Sequence, residues 1–181
     1  MDAMENLLLH FPYEKISVAM LARKCGFSRQ AFYKYYSNKD ELSLKMVEAF
    51  CQNGFNLTSP FTWRKLVFHY LKEISVHKNF FYSVAQANDN FILFQLMYDM
   101  VFTLYKRMGE FRLKQPLSSE LDFYLRGYCN GGILNLVQML GKKNMLEVEL
   151  LVQYFEKSMP PEIHKLLTGT HFPAYLLKSD L

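Results

Sequence analysis

Arg29 and Gln30 stand side by side after Ser28, with Tyr33 and Lys34 one helical turn further on. A guanidinium can grip the edge of guanine and a carboxamide the edge of adenine, each through two hydrogen bonds, so this pair suits base readout in a major groove. Ser17, Tyr33, Lys34 and Lys39 offer hydroxyls and ammonium groups, which suit the phosphate oxygens that position a protein on a duplex. From Lys15 to Lys39 the chain carries six basic residues (Lys15, Arg23, Lys24, Arg29, Lys34, Lys39) and no acidic one, although its whole net charge is only +4. The basicity is therefore local. Phosphates attract such a surface whatever the bases beneath, whereas a solvated helix ordinarily mixes signs.

Presenting those groups requires two short helices held at a fixed angle, and Ser17 to Leu42 has the pattern of a helix-turn-helix. Ser17 is an N-cap residue, and Val18, Leu21 and Cys25 recur at helical spacing on one face that Ala22 keeps narrow. Gly26 can take the left-handed conformation that ends a helix and re-aims the chain, Phe27 is placed to pin the turn into the core, and Ser28 can cap the next helix. Phe32 and Tyr35 are expected to point back toward the core, leaving Arg29, Gln30, Ala31, Tyr33 and Lys34 on faces that could enter a groove. A helical hairpin with a chance basic face would account for a lone glycine turn. It would not account for two caps, the spacing and the charge together.

The run Ser28-Arg29-Gln30-Ala31-Phe32-Tyr33-Lys34-Tyr35-Tyr36, followed by Ser37-Asn38-Lys39-Asp40-Glu41-Leu42, resembles the recognition helix and fourth-helix entry of the TetR family of bacterial transcriptional regulators. Tyr36 stands where that family usually has Phe, and Lys34 where His is frequent. The motifs cover about the first quarter of the chain. The resemblance implies a repressor released by a small molecule, with the last two long helices of each subunit forming a four-helix bundle between subunits. It also implies a first helix longer than Met1 to Phe11 and preceded by a basic arm. Arg29-Gln30-x-Phe32-Tyr33-x-Tyr35, together with Asn79-Phe80-Phe81-Tyr82, is also similar to a Firmicutes-type branch in which some members activate through a protein co-regulator.

The remaining sequence fits an all-α protein: an N-terminal three-helix DNA-binding head with the helix-turn-helix over residues 1–45, and a larger C-terminal helical ligand-binding and dimerisation domain over 46–181. The chain has 181 residues, half of them apolar, with only six prolines and eight glycines, and it shows no strand-like alternation between hairpin turns. No apolar run reaches the roughly 18 to 20 residues that span a bilayer, and the N-terminus lacks the charge and apolar pattern of a secretion signal. A cytoplasmic protein is expected. Cys25, Cys51 and Cys129 form neither a zinc pattern nor a disulfide framework and read as buried thiols.

A first helix over Met1 to Phe11 should bury Met4, Leu7, Leu8 and Phe11, and a fourth helix through Leu42, Met46, Val47 and Phe50 should act as a lever leaving the head. Ser59-Pro60 resembles an N-cap and first helical position, opening a helix that contains Trp63, Leu66, Val67, Tyr70, Leu71 and Ile74. Further breaks are expected near Asn79, Asn88 to Asn90, Gln115 to Ser119, Gly141 to Asn144 and Pro160-Pro161.

Residues 79–111 hold the densest aromatic and methionine content. The simplest reading is core packing. The other is an adaptable apolar pocket with a few orienting polar groups, for which Phe81, Gln86, Phe94, Gln95, Tyr98, Asp99 and Phe102 are the candidates. Gly127, Gly131 and Gly132, in a helix from about Ser119 to Leu140, would let a second helix approach closely. With the helix from Leu146 to Ser158 they suit either a homodimer seam or packing within the chain. His10, His69, His77, His164 and His171 lack metal-ligand spacing, and no glycine-rich phosphate loop or nucleophile elbow appears. Catalysis, a metal and a cofactor are not expected. The expected partners are double-stranded DNA, a second copy of the chain, and a small-molecule or protein effector.

Overall fold

The computed structural model describes residues 2–52, 59–87, 91–141 and 146–177. The expected breaks at Asn88 to Asn90 and at Lys142 to Asn144 lie outside them.

The head starts with α1 (Asp2–Leu8), which buries Met4 and Leu7. It is shorter than the Met1 to Phe11 expected: the Phe11 amide still bonds back to the Leu7 carbonyl, but Pro12 follows and Phe11 is exposed. A 3-10 turn (Tyr13–Lys15) then leads into α2 (Val18–Cys25), whose Ser17 hydroxyl accepts the Met20 N–H at 3.3 Å. Gly26 sits in the left-handed region at φ 72°, with its N–H on the Arg23 carbonyl and the Phe27 N–H on that of Ala22. These paired bonds close the helix and turn the chain toward α3 (Arg29–Tyr33). Because the backbone alone makes this turn, Phe27 is not needed as a plug; it is 68% exposed, and Cys25 is exposed as well.

The fourth helix, α4 (Lys39–Gln52), opens with reciprocal capping. The Asn38 side chain accepts the Glu41 N–H at 2.8 Å, and the Glu41 carboxylate accepts the Ser37 N–H at 2.6 Å. The carboxyl is held below its ordinary pKa chiefly by that backbone bond. Tyr13, buried under α4, donates its hydroxyl to Asp40 Oδ1 at 2.6 Å and lies 3.0 Å from Ser43 Oγ. Lys39 Nζ donates to the carbonyls of Tyr13 (2.7 Å), Ile16 (3.1 Å) and Glu14 (3.3 Å) and lies 4.4 Å from the Tyr13 ring centroid. An ammonium has three donors, and here the same turn engages all three.

Beyond the head, α5 (Trp63–Val76) is capped by Thr62, which accepts the Lys65 N–H, and not by Ser59 as the sequence suggested. The difference has a tertiary cause. Phe61 pairs its backbone with Phe172 in an isolated antiparallel bridge, N to O at 2.9 and 2.7 Å, which keeps Pro60-Phe61 extended up to the cap. Then come α6 (Lys78–Ala87), α7 (Phe91–Leu113), α8 (Ser119–Gly141), α9 (Val148–Lys157), α10 (Pro161–Leu167) and a closing 3-10 turn (Ala174–Leu177). Helix α8 packs on α6, α7 and α10, while α9 lies on α5. One connected apolar core runs from Met4 and Leu7 through Phe50, Trp63 and Phe81 to Leu125, Val152 and Phe172.

Two substitutions separate the forces in the head. Gly26→Ala meets nothing within 4 Å, so its effect is purely conformational; it should destabilise by about 1 kcal/mol. Thermal unfolding should register this as a fall in Tm of about 2–4 °C. Tyr13→Phe should destabilise by about 1–3 kcal/mol by removing the hydroxyl's bonds to part-buried Asp40 and buried Ser43, although Ser43 keeps its bond to the Lys39 carbonyl. Burial, then the Asp40 bond, raises the Tyr13 pKa above its ordinary 10.0. Above pH 10 the unfolded chain therefore loses the proton first, and stability falls as pH rises toward the folded value. Denaturant titrations across that range should show a shallower alkaline loss in Tyr13→Phe.

Candidate nucleic-acid interface and C-terminal cavity

Helix α3 is defined by its ends. The Ser28 hydroxyl accepts the Ala31 N–H at 3.1 Å, and bonds from Tyr35 and Tyr36 to the Phe32 carbonyl carry the turn past Lys34. Phe32 supplies the inward anchor: it is half-buried, packs on the core, and meets Tyr33 edge-on at 5.6 Å and Tyr36 at 5.5 Å. Arg29, Gln30, Tyr33 and Lys34 are exposed, and Ala31 is half-buried. Tyr35 is 76% exposed, contrary to the inward direction expected for it, because the turn is sealed by Tyr36 on Phe32.

The basic surface survives folding. Lys15, Arg23, Lys24, Arg29 and Lys34 are exposed, and none of them forms an ion pair among the described residues. Lys39 departs from expectation. Its ammonium is bound to three carbonyls of the 3-10 turn and the residue after it, so it fastens α4 to the head and has no free donor for a phosphate. Ser17 and Ser28 are exposed and use their hydroxyl oxygens as caps, which leaves each O–H able to donate.

The C-terminal helices line a cavity of about 460 Å³ that is partly open to solvent. Its walls come from α5 (Val67, Tyr70, Leu71, Ile74), α7 (Met97, Met100, Val101, Thr103, Leu104, Tyr105, Arg107) and α8 (Tyr128, Cys129, Gly132, Ile133, Leu136). Glu48 of α4, Phe155 of α9 and the closing turn's Leu176 and Leu177 complete it.

None of the seven residues expected from sequence lines this space. Phe81 is fully buried between Phe80 and Phe50, with ring centroids 5.5 and 6.1 Å away. The Gln86 amide donates to the Gly141 carbonyl. Phe94, Tyr98 and Phe102 stack in a ladder along another sector of α7, with centroids 6.0 and 5.6 Å apart, and the Arg126 guanidinium lies 4.3 Å from the Phe102 centroid. Gln95 donates to both oxygens of Asp99 at 3.0 Å on the exposed side. The reason is geometric. Helix α7 is apolar on more than one side, and spacing alone does not say which side its neighbours enclose.

Near the cavity's polar wall, the Tyr128 hydroxyl donates to the Phe155 carbonyl at 3.0 Å, and the Tyr105 and Tyr128 rings stack 6.4 Å apart. Burial raises the pKa of both phenols well above the usual range and pushes the Cys129 thiol up to about 12. All three therefore stay protonated at neutral pH.

Two contacts between head and body carry no sequence signature. Glu5 Oε1 on α1 lies 2.7 Å from His77 Nδ1, and the His77 ring stacks on Phe50 of α4 at 3.7 Å. Tyr13, which organises the α4 entrance, was equally inconspicuous. Its partners lie 27 and 30 residues away, and a single tyrosine between two short helices shows no period.

On the far side, α8 exposes Phe123, at 73%, along with Gly127, Gly131 and Leu134, beside exposed Tyr154 of α9. A Cβ added at Gly127 or Gly131 would meet nothing within 4 Å in the protomer, whereas at Gly132 it would meet the Phe155 ring at 3.1 Å. Gly132 serves packing within the chain; the other two serve no such need.

Residues 1–46 match the family model described as bacterial regulatory proteins, tetR family. No curated protein matches the chain. Among solved structures the fold is similar to that of the dihydroxyacetone kinase operon activator DhaS, at 18% identity, with a TM-score of 0.66 over 92% of this chain and 95% of that one. Among the described residues no helix is long and apolar enough to cross a membrane. With its capped helix-turn-helix and local basic face, the N-terminal head matches the DNA-binding domain of the tetR family of bacterial regulatory proteins, and the whole chain shares the all-helical fold of that solved structure.

Proposed function

We propose that this chain acts in the cytoplasm as a homodimeric, sequence-specific repressor, with each α3 reading one half of a palindromic operator and an effector in the C-terminal domain releasing it. Residues 1–45 would form the reading head and 46–181 the regulatory and dimerisation domain. The observation that carries the proposal is the exposure of Arg29, Gln30 and Lys34, free of ion pairs among the described residues, on a capped helix in a stretch with five exposed cations. Arg29 and Gln30 would contact bases. Ser17, Ser28, Tyr33 and Lys34 would contact phosphates, with Ala31 allowing close approach. Two-fold symmetry would set the two α3 helices about 34–36 Å apart, or a multiple of it.

Helix α4 supports the effector part of the reading. Its first residue is fastened to the head and Glu48 forms part of the cavity wall, so one rigid rod reaches both places. A molecule that fits the cavity better in one head spacing would bias the dimer toward it, since a ligand shifts an equilibrium only through differential affinity. A cavity of this size favours a small molecule over a protein effector. The solved neighbour is described as an operon activator, which favours a second reading in which the same head recruits transcription. Transcription in vitro from a template bearing the selected operator, with and without the protein, gives the sign.

Selection from a random duplex pool should recover an inverted repeat; recovery of only salt-sensitive, sequence-blind binding sinks the proposal. On that operator, Arg29→Ala should cost about 1–3 kcal/mol and relax specificity at one position per half-site. Lys34→Ala should weaken all duplexes alike and reduce the slope of log K against log salt by about one unit. Lys39→Met should instead lower Tm and leave that slope unchanged in a fluorescence anisotropy titration.

For self-association, Gly131→Leu is expected to fold with an unchanged circular dichroism spectrum, because space around that position is open in the protomer. In sedimentation it should shift the population from dimer to monomer. A fully dimeric Gly131→Leu protein would remove α8 from the seam.

A further inference from the structure

We infer that the cavity beside α4 takes an uncharged, predominantly apolar small molecule whose few polar atoms are met by the phenol and thiol groups of Tyr105, Tyr128 and Cys129. This deepens the effector reading above and rests on it for the consequence at DNA, but not for the binding itself.

The wall contains two charged residues, and both are engaged within the chain. Glu48 pairs with Lys45 at 2.8 Å, and Arg107 has an interaction of its own. An ionised ligand would lose its hydration on entry and meet no charged group in the interior of the site. Both charged residues are also only partly buried, which places them toward solvent, whereas Tyr105 and Cys129 lie fully inside.

The interior polar groups cannot supply a charge either. Burial keeps the two phenols and the thiol in their neutral forms across the physiological range. They offer what neutral groups offer. The Tyr128 hydroxyl already donates to Phe155 and retains lone pairs that can accept, while the Cys129 S–H is a weak donor. Apart from Thr103 and Gly132, the rest of the wall is leucine, isoleucine, valine, methionine and aromatic rings. Met97 and Met100, unbranched and polarizable, adapt to the outline of an apolar body, and the Tyr105 and Phe155 rings give it flat faces. A largely apolar cavity with a few polar groups is the ordinary form of a small-molecule site.

The test uses the intact protein and three probes with one apolar body: 4-phenylbutan-1-ol, 4-phenylbutanoate and 4-phenylbutylammonium. The alcohol, at ten times its dissociation constant, should raise Tm by about 3–5 °C, and it should bind at least tenfold more tightly than either ion. Val101→Phe, which fills the cavity, should abolish the shift. Peptide mass spectrometry locates the site without any substitution: the alcohol should slow alkylation of Cys129 by N-ethylmaleimide and leave that of exposed Cys25 unchanged. Tight binding of either ion, no shift by the alcohol up to its solubility, or a shift without protection of Cys129 would each overturn the inference. Operator affinity is measured separately. Alcohol binding without any change at DNA would leave the ligand class standing and remove the effector reading. An intact operator complex with no alcohol binding would remove this inference alone.

Discussion

The fastening of Lys39 to the 3-10 turn is the constraint on which the rest depends. The carbonyls of Tyr13, Glu14 and Ile16 lie at the end of a short turn, where the Tyr13 carbonyl also accepts the Ile16 N–H, and the Lys39 ammonium gathers all three while lying against the Tyr13 ring. Tyr13 reciprocates by spanning Asp40 and Ser43 from beneath. Charge-assisted hydrogen bonds of this kind are stronger and more directional than neutral ones. The first turn of α4 therefore cannot slide on α1 and α2 without breaking several at once. The direction in which α4 leaves the head is fixed by this cluster.

From that fixed start α4 runs as a single rod. Lys39 and Glu48 are nine residues apart, which at the rise of an α-helix is about 14 Å. One end belongs to the head and the other to the wall of the cavity. Phe50, one residue beyond Ala49, stacks on His77, which in turn holds Glu5 of α1. The head is thus gripped twice, by α4 at its base and by α1 through the His77 contact. The wall of the cavity and the head are thus joined through α4, the 3-10 turn and α1 by side chains with definite positions.

The body divides its aromatic residues between two tasks. One sector of α7 forms the Phe94, Tyr98 and Phe102 ladder, which Arg126 covers from α8. Another sector, with Met97, Val101 and Leu104, faces the cavity. The density of aromatics that marked residues 79–111 in the sequence is therefore mostly packing, as its simplest reading held, and the open space lies beside it. Gly127 and Gly131 on α8 show the converse. They are glycines that the protomer's own packing does not require, next to Phe123 left in solvent.

Local chemistry was legible in the sequence. Ser17 and Ser28 cap the helices expected of them, Gly26 takes its positive φ, Phe32 anchors α3 and the basic residues stay on the surface, because each of these follows from neighbours within one or two turns. Helix content and most breaks followed from the same short-range rules. What the sequence left open depended on partners far along the chain. The bridge between Phe61 and Phe172 moved the α5 cap from Ser59 to Thr62, carbonyls more than twenty residues away turned Lys39 from a surface cation into a fastener, and the helices closing around α7 decided which of its apolar sides lines a cavity. Periodicity assigns a residue to a face, but only the packing of the other helices determines whether that face meets a neighbour, a void or water.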